Sequence, residues 1–170
     1  MDSQIELIFA ALMPENRVVL QVMLRTGLRV GDVLNLRSAQ LARCFWVTEQ
    51  KTGKRRQVGL PDWLRLEVLR LSRGSVWAFP SPRNPDKPRT RQAVWKDLKR
   101  VSEALRIPVN VGTHSMRKAY AVDLLHKYGD FERVRRDLRH SSGMVTVIYA
   151  MADVLAETAS TRRVSYKRRR

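Results

Sequence analysis

A change in hydrophobic period near Leu41 constrains the fold more than any other feature of the sequence. Residues 44–50, CFWVTEQ, and residues 55–61, RRQVGLP, flank the glycine-containing stretch KTGK, and Pro61 closes the second segment. Two strand-like segments around a short turn predict an antiparallel β-hairpin. The segment SVWAF, residues 75–79, predicts a short third strand. The sheet is therefore expected to be a hairpin or to hold three strands.

Helical spacing of apolar residues dominates the rest of the chain. In residues 15–26 the apolar positions share one face, and Gly27 follows where a helix C-terminus favours a left-handed residue. Thr90 and Thr113 precede further helical segments and are predicted N-caps. Helices are predicted over residues 3–12, 15–26, 31–36, 62–71, 91–105, 114–128, 130–138 and from 142 onwards. The expected fold class is mainly α with a small antiparallel sheet.

The length of 170 residues suits a single domain that can bury a core without a disulfide or a metal. Cys44 is the only cysteine, which excludes an internal disulfide, and we expect it to be a small core residue in a reducing compartment. Charges interrupt the apolar runs every few residues, and no basic region followed by an apolar segment opens the chain. The sequence therefore predicts a cytoplasmic protein without a membrane partner.

Net charge is the clearest compositional signal. The chain carries 33 lysines and arginines against 16 acidic residues, a formal net charge of +17. The first 50 residues hold 5 basic and 5 acidic side chains, so the whole excess lies downstream. This asymmetry favours one basic face for a polyanionic partner over an inert, uniformly charged surface.

Several polar residues stand at positions that suit a phosphate ligand. In TGLRVGD, Arg29 follows Gly27 in a tight turn, and Asp32 is well placed to orient its guanidinium. His114 and Arg117 lie three residues apart near the start of a predicted helix, so both project from one face close to its positive end. Each pattern taken alone also suits a capping or solvated residue.

Two further patterns are equally open when taken alone. Lys51, at the lip of the hairpin turn, is either a mobile ligand-binding cation or a solvated turn residue. His140 stands nine residues before Tyr149 in RHSSGMVTVIY, yet MVTVIYAM would also suit a core helix with a partly buried aromatic residue. Tyr120, Tyr128 and Tyr166 are alternatives, but none of them has a histidine at that distance before it.

In their order and spacing these residues resemble the catalytic domain of the tyrosine recombinases, the phage integrase family. The shared features are the arginine of TGLR, a hairpin lysine before Thr-Gly, the H-x-x-R box HSMR, a histidine in LRH and a tyrosine nine residues later. They span roughly residues 13–151. The resemblance implies that family's fold and the catalytic residues Arg29, Lys51, His114, Arg117, His140 and Tyr149.

The chemistry that the resemblance implies is DNA strand exchange by transesterification. The tyrosine attacks a phosphodiester and forms a 3′-phosphotyrosyl link, which conserves bond energy, so no cofactor or metal is expected. Arg29 and Arg117 clamp the phosphate oxygens, because a guanidinium binds them bidentately. Lys51 is the implied general acid for the leaving 5′ oxygen, His114 the base or hydrogen-bond partner of the tyrosine, and His140 a phosphate donor.

The chain departs from the family pattern in three places. The HSMRK box has Met116 and Lys118 where the family has leucine and often histidine. Arg139 replaces the glycine of a Leu-Gly-His box, which brings a side chain to a point of close backbone approach. Only about a dozen residues precede the first matching helix. We expect one catalytic domain over residues 1–161, a basic tail over 162–170 and no separate N-terminal core-binding domain, unless the chain is part of a longer protein.

The implied partner is double-stranded DNA, bound by a homo-tetramer, with accessory proteins as further candidates, in a prokaryotic, phage or mobile-element context. Residues expected to contact DNA are Lys54, Arg55, Arg56, Arg89, Arg91, Lys118 and Arg139. Site-specific recombination, either integration and excision or inversion, is the expected function. Two alternatives stay open: a noncatalytic architectural or regulatory DNA-binding protein on the same fold, and DNA relaxation like that of the type IB topoisomerases.

Overall fold

A computed structural model of the chain describes residues 3–107, 112–130 and 134, apart from the side chains of residues 3–5, 114, 118 and 126. The helices are α1 (Ser3–Ala11), α2 (Pro14–Thr26), α3 (Val30–Leu34), α4 (Asp62–Ser72), α5 (Arg91–Ala104) and α6 (Thr113–Tyr128), and the strands are β1 (Cys44–Thr48) and β2 (Arg55–Gly59). The chain divides into two compact units, Met1–Tyr120 and Ala121–Arg170. The mainly helical fold with a small antiparallel sheet confirms the predicted class.

The second helix, α2, has the local signals that sequence reasoning uses. Pro14 occupies its first turn, where the missing N–H costs no hydrogen bond. The apolar face that includes Val19 and Met23 is buried. After Thr26 the backbone of Gly27 takes a left-handed φ of 63°, and its N–H donates to the Met23 carbonyl. The helix therefore ends in a sharp turn at the predicted place.

The hairpin confirms the predicted change of period. Strands β1 and β2 pair antiparallel, with Val47 opposite Arg56 and Cys44 opposite Gly59. In both strands exposed and buried positions alternate, so Phe45, Val47 and Val58 face the core. Cys44 lies on the outer face and is exposed. The prediction that it fills the core is wrong, because it is one position out of phase with the buried residues of β1.

The predicted third strand is absent from the described part of the chain, where the sheet has two strands. The segment SVWAF instead pairs with the chain before the hairpin. Ser38 N–H donates to the Val76 carbonyl, Ala78 N–H donates to the Leu36 carbonyl, and Arg37 lies 3.6 Å above the ring of Trp77. Pro80 follows immediately and has no N–H for a ladder. The segment thus forms an isolated bridge.

The last two described helices begin with different caps. At α5 the Thr90 hydroxyl accepts the Ala93 N–H at 3.1 Å, which confirms the predicted N-cap. At α6 the helix already includes Thr113, and the Ser115 hydroxyl accepts the Gly112 N–H at 3.1 Å, so the cap is not the predicted threonine.

Gly129, with a φ of 61°, follows the end of α6 as predicted. The predicted helix over residues 130–138 lies largely outside the described residues, although Val134 N–H donates to the Asp130 carbonyl. The predicted helix from residue 142 lies outside them altogether.

The core of the first unit is formed by the five helices α1, α2, α3, α4 and α5, the inner face of the hairpin and the start of α6. Leu20, Leu34, Leu64 and Leu98 are among its fully buried members, and Met116 brings α6 into it. Of the helices that the structure describes, none is long and apolar enough to cross a lipid bilayer. The core fixes the relative positions of the TGLR turn, the hairpin and the first turns of α6.

Candidate active site

The TGLR turn places Arg29 between α2 and α3. Leu28 is fully buried and anchors the turn in the core. Arg29 itself has extended backbone, with φ of −72° and ψ of 151°, and its side chain is 20% exposed. The guanidinium is therefore held on a rigid turn while it remains open to solvent on part of its surface.

Glu49 is the ion-pair partner of Arg29. The residue lies just after β1 and is completely buried, at 0% exposure. Its Oε2 accepts Arg29 Nη1 at 2.6 Å and the Thr52 hydroxyl at 3.2 Å. Its backbone closes the hairpin turn, because its N–H donates to the Lys54 carbonyl and its carbonyl accepts the Gly53 N–H. Such partners offset the cost of burying a carboxylate.

Arg56 supplies a second guanidinium to the same carboxylate. It occupies a buried position of β2, where its Nε lies 3.5 Å from Glu49 Oε1 and its Nη2 donates to the Thr26 carbonyl. We expected Arg56 to contact DNA. Arg56 faces the core like Val47 opposite it, and the Glu49 carboxylate and the Thr26 carbonyl already engage its guanidinium there. We therefore leave Arg56 out of the proposed DNA-contacting surface.

Arg117, on the second turn of α6, adds a third guanidinium and is only 4% exposed. The pKa of Arg117 is lowered to about 10, first by burial and next by the nearby charge of Arg29, while Glu49 opposes the change. The Arg56 charge also lowers it, and Asp32 raises it. Arg117 still carries its charge at neutral pH, and it lies within electrostatic reach of all four residues.

Asp32 was expected to orient Arg29, and the structure gives it another partner. Its Oδ1 accepts the Gln50 backbone N–H at 2.9 Å, while the Arg29 guanidinium pairs with Glu49. Asp32 is buried at the start of α3, so it ties that helix to the hairpin. The carboxylate that holds Arg29 thus comes from the hairpin.

These five residues, Arg29, Asp32, Glu49, Arg56 and Arg117, form a buried charge cluster. Three guanidinium groups against two carboxylates give it a formal net charge of +1. A site of this kind attracts a monoanion, since guanidinium groups bind phosphate or carboxylate oxygens through paired N–H donors. Within the residues that the structure describes, no group of three or more His, Cys, Asp or Glu side chains could hold a metal ion.

The hairpin turn beside the cluster carries exposed cations. Lys51 and Lys54 are exposed in the turn, where Gly53 takes a left-handed φ of 65°. Arg55 is exposed at the start of β2, and its guanidinium lies 5.4 Å from the ring centroid of the half-exposed Trp46. The structure thus brings the predicted lysine to the turn that Glu49 closes.

The two predicted DNA contacts around α5 differ. Arg91 is exposed on the first turn of α5. Arg89 is 5% exposed, with its Nη1 at 3.2 Å from Asn16 Oδ1 and its Nη2 at 3.7 Å from Glu15. Burial is the main cause that lowers the pKa of Arg89. Arg89 therefore belongs to an internal polar network, and we leave it too out of the proposed DNA-contacting surface.

The other predicted site residues are not placed. His114 and Lys118 belong to α6, but their side chains lie outside the described residues. Arg139, His140 and Tyr149 lie outside them entirely. The roles assigned to these five residues stay predictions.

Sequence reasoning missed Glu49, although a signal for it was present. In β1 the core-facing positions are Phe45 and Val47, and the next position of the same parity is Glu49. On β2 the core-facing positions are Arg56 and Val58. An acid and a base that both fall on the apolar face of a hairpin predict a buried ion pair.

A model of the phage integrase family matches residues 2–155. The chain belongs to the phage integrase family. As a member of that family it is 28% identical over 149 residues to the "Probable integrase/recombinase YoeC" of Bacillus subtilis, covering 85% of this chain and 78% of that protein. It is 31% identical over 145 residues to the tyrosine recombinase XerD of Lacticaseibacillus casei, covering 79% of this chain and 49% of the relative. This family member thus spans about half the length of that XerD relative.

Solved structures of a recombinase and an integrase share the fold. The crystal structure of XerA recombinase superimposes with a TM-score of 0.74 at 21% identity, covering 96% of this chain and 62% of that one. The lambda integrase catalytic core gives a TM-score of 0.66 at 19% identity, covering 84% of this chain and 93% of that one. The predicted family and the predicted catalytic-domain fold of the tyrosine recombinases are both confirmed.

Proposed function

We propose that this phage integrase family member is a site-specific DNA recombinase that integrates and excises, or inverts, a DNA segment. The observation that carries the proposal is the buried charge cluster, whose net charge of +1 is opposite to that of one phosphodiester. The XerD and lambda integrase relatives support it, and one lambda integrase structure, with a TM-score of 0.68, is of a dimer bound to a core site.

In the proposed reaction the Tyr149 oxygen forms a bond to phosphorus and the bond from phosphorus to the 5′ oxygen breaks. The tyrosine proton passes to His114, and Lys51 gives a proton to the leaving 5′ oxygen, so the charges balance. His140 donates to a phosphate oxygen. The reverse reaction with a different 5′ hydroxyl reseals the strand and needs no external energy source.

Arg29 and Arg117 are the proposed clamp for the nonbridging phosphate oxygens. Negative charge grows on these oxygens in the transition state, and fixed guanidinium donors in a buried site stabilise it without reorganising. Arg117 is 4% exposed and lies in the interior, whereas Arg29 is 20% exposed and reaches the surface. A general acid or base adds roughly 10²- to 10⁴-fold in rate. Loss of either arginine is expected to cost at least as much.

The proposed DNA-contacting surface consists of Lys54, Arg55 and Arg91 among the described residues. All three side chains are exposed, unlike Arg56 and Arg89. Lys118 and Arg139 remain proposed contacts outside the described side chains. Exposed lysine and arginine side chains bind the phosphate backbone of a duplex with release of counterions, independently of its base sequence.

We also propose that the active form on DNA is a homo-tetramer, with accessory proteins as further candidate partners. One lambda integrase structure, with a TM-score of 0.63 and 18% identity, is of a tetramer bound to a Holliday junction. Sedimentation of the full chain with and without its DNA site would test this proposal. A species that stays monomeric on DNA at every concentration would contradict it.

A nicked suicide substrate tests the proposed function. Duplexes from the flanks of the chain's own gene carry a nick beside each candidate site, so that cleavage releases a short strand and traps the covalent complex. The reaction contains EDTA, and denaturing gels compare the wild-type protein with Tyr149→Phe and with Tyr128→Phe. Tyr128 is the matched control, because it is an exposed tyrosine on α6 without a histidine nine residues before it.

The expected result is a covalent protein–DNA band in the wild type and in Tyr128→Phe that is absent from Tyr149→Phe. A wild-type protein that binds these duplexes and forms no covalent band would overturn the proposal in favour of a noncatalytic DNA-binding protein. A wild-type protein that relaxes supercoiled plasmid but never exchanges strands between two sites would restrict it to DNA relaxation.

A further inference from the structure

We infer that Glu49 is a positioning residue for the phosphate clamp, acting through Arg29, and this inference rests on the proposed function. Glu49 is completely buried, so a substrate on the surface cannot touch it. Its Oε2 is 2.6 Å from Arg29 Nη1. Whatever Glu49 contributes to DNA cleavage must therefore pass through the arginine.

The geometry of the guanidinium explains how a hidden carboxylate can orient it. Arginine presents five N–H donors in a rigid planar fork, so restraining one nitrogen limits the orientations open to the whole group. Glu49 Oε2 also accepts the Thr52 hydroxyl at 3.2 Å, and Arg56 Nε lies 3.5 Å from Oε1 as an ion-pair contact. The Arg29 side chain is exposed enough for a phosphate to reach its remaining donors.

The same residue also closes the turn that carries the proposed general acid. The backbone of Glu49 bonds to Lys54 and Gly53 across the turn, and Lys51 stands two residues further along. Arg29 and the Lys51 turn are thus both fixed to one residue, by its side chain and its backbone respectively. A side-chain substitution at Glu49 removes the contact with Arg29 and affects the hydrogen bond from Thr52, but it keeps the backbone hydrogen bonds that close the turn.

Charge gives the second part of the inference. Replacing the carboxylate by an amide raises the formal net charge of the buried charge cluster from +1 to +2. The extra positive charge favours an anion in general, so binding of DNA should not weaken. The direction of the Arg29 donors is lost, however, and misplacement by about 1 Å can cost roughly 100-fold in rate. Cleavage should therefore slow while affinity is kept.

The test compares Glu49→Gln and Glu49→Asp with Glu67→Gln in the full chain. Glu67 is the matched control because it pairs with Arg70 on the exposed side of α4 and its amide variant has the same change of net charge. Cleavage of the suicide substrate is followed in a single turnover at saturating DNA. A second substrate carries a neutral methylphosphonate at the cleaved position, where no charged oxygen pair needs a clamp.

Glu49→Gln is expected to cleave the phosphodiester about 10- to 100-fold more slowly than the wild type, at unchanged DNA affinity. On the methylphosphonate the two proteins should agree within about threefold, because Arg29 no longer acts on a charge. Glu49→Asp keeps the charge at a shorter reach and should be intermediate. A purely structural role for Glu49 would slow both substrates equally and lower DNA affinity with them.

Equal losses on the two substrates, or cleavage by Glu49→Gln within about twofold of the wild type, would overturn the inference. If circular dichroism shows that Glu49→Gln does not fold, cleavage of the two substrates by Glu49→Asp is compared in the same way and tests the inference. If the wild-type protein forms no covalent complex, the result contradicts the proposed function and not the role of Glu49. The wild-type lane therefore separates that failure from a failure of the role of Glu49.

Discussion

The ring of Tyr120 lies directly against the Cα atom of Gly27, and a methyl group on that atom would overlap the ring. Tyr120 stands three residues after Arg117 on α6, and Gly27 stands two residues before Arg29. The contact therefore holds the helix of one clamp arginine against the turn of the other. Gly27 serves both as the left-handed end of α2, with a φ of 63°, and as the gap that admits the ring.

We predict that Gly27→Ala destabilises the fold more than Gly74→Ala. Gly74 also has a positive φ, of 78°, but a Cβ there meets nothing within 4 Å. Gly74→Ala should lower the free energy of unfolding by about 1 kcal/mol for the backbone alone. Gly27→Ala should cost about 2–4 kcal/mol, because overpacking against the ring adds to that. Urea unfolding of both variants checks this, and equal losses would contradict the close contact.

The Arg29–Glu49 pair should be visible as a coupling in stability. Arg29→Met removes the hydrogen-bonded partner of the Glu49 carboxylate and leaves it the charges of Arg56 and Arg117, so it should cost about 1–3 kcal/mol. Adding Glu49→Gln removes the carboxylate that has lost this partner, so the double variant should be more stable than the sum of the two losses by about 0.5–3 kcal/mol. Arg70→Met, which breaks the exposed pair with Glu67, is the control and should lower the stability less than Arg29→Met does. Strict additivity in this unfolding cycle would refute the coupling.

Arg117→Lys should make cleavage depend on pH near neutrality. Burial and the neighbouring arginine charges lower the pKa of Arg117 from its ordinary value to about 10. A lysine ammonium starts from about 10.4, so the same surroundings would bring its pKa to about 8. The charge is present below that value and lost above it. The single-turnover rate of Arg117→Lys should therefore fall between about pH 7 and pH 9, whereas the wild-type rate should not show this loss.

Asp97 on α5 should contribute to stability at neutral pH and lose that contribution in acid. Burial alone would raise the pKa of Asp97, but hydrogen bonds from Asn16, Arg100 and the Met13 N–H outweigh it and lower the pKa. The folded state thus favours the carboxylate. Its contribution is complete above the ordinary pKa of about 4 and disappears as the pH falls through the lower, folded value.

Unfolding of Asp97→Asn at several pH values checks this expectation. At pH 7 the variant should be less stable than the wild type by about 1–3 kcal/mol, because Asn16, Arg100 and the Met13 N–H lose a charged acceptor. The difference should shrink below about pH 4. Asp62→Asn is the control, since Asp62 is 60% exposed in its pair with Arg65. A difference that stays constant into acid would contradict the assigned cause.

The proposed DNA-contacting surface predicts a change in salt dependence. If Arg55 contacts one phosphate, Arg55→Gln should reduce the slope of log affinity against log salt by about 0.9. Arg70→Gln removes an exposed arginine of α4 outside that surface and should leave the slope unchanged. Fluorescence anisotropy with one labelled duplex at several salt concentrations measures both. Equal slopes for the two variants would remove Arg55 from the surface.

Features with a local cause could be predicted from the sequence. Gly27 ends α2 and Thr90 caps α5, because both depend on backbone chemistry within one turn. The prediction of a third strand was wrong because tertiary packing decides which segment pairs with residues 75–79. In the structure they pair with Leu36 and Ser38 and not with the hairpin. Local signals alone cannot decide that pairing.

In the candidate site, too, features with a local cause could be predicted from the sequence and a contact between distant residues could not. The positions of Arg29 and Lys51 follow from turns that the sequence marks clearly. Which carboxylate reaches Arg29 could not be read from spacing, since Asp32 is three residues away and Glu49 is twenty. The alternation of β1 contained the missing information, but only once the inner face of the hairpin was known.

The burial of Glu49 has a consequence for how genes of this kind decay. A copy that loses Arg29 by mutation does not simply become an inactive binder, because it must then fold around a carboxylate with one fewer counter-charge. Such chains populate unfolded states more often and become substrates for proteases. Inactive copies that persist as stable proteins should therefore have lost the glutamate together with the arginine.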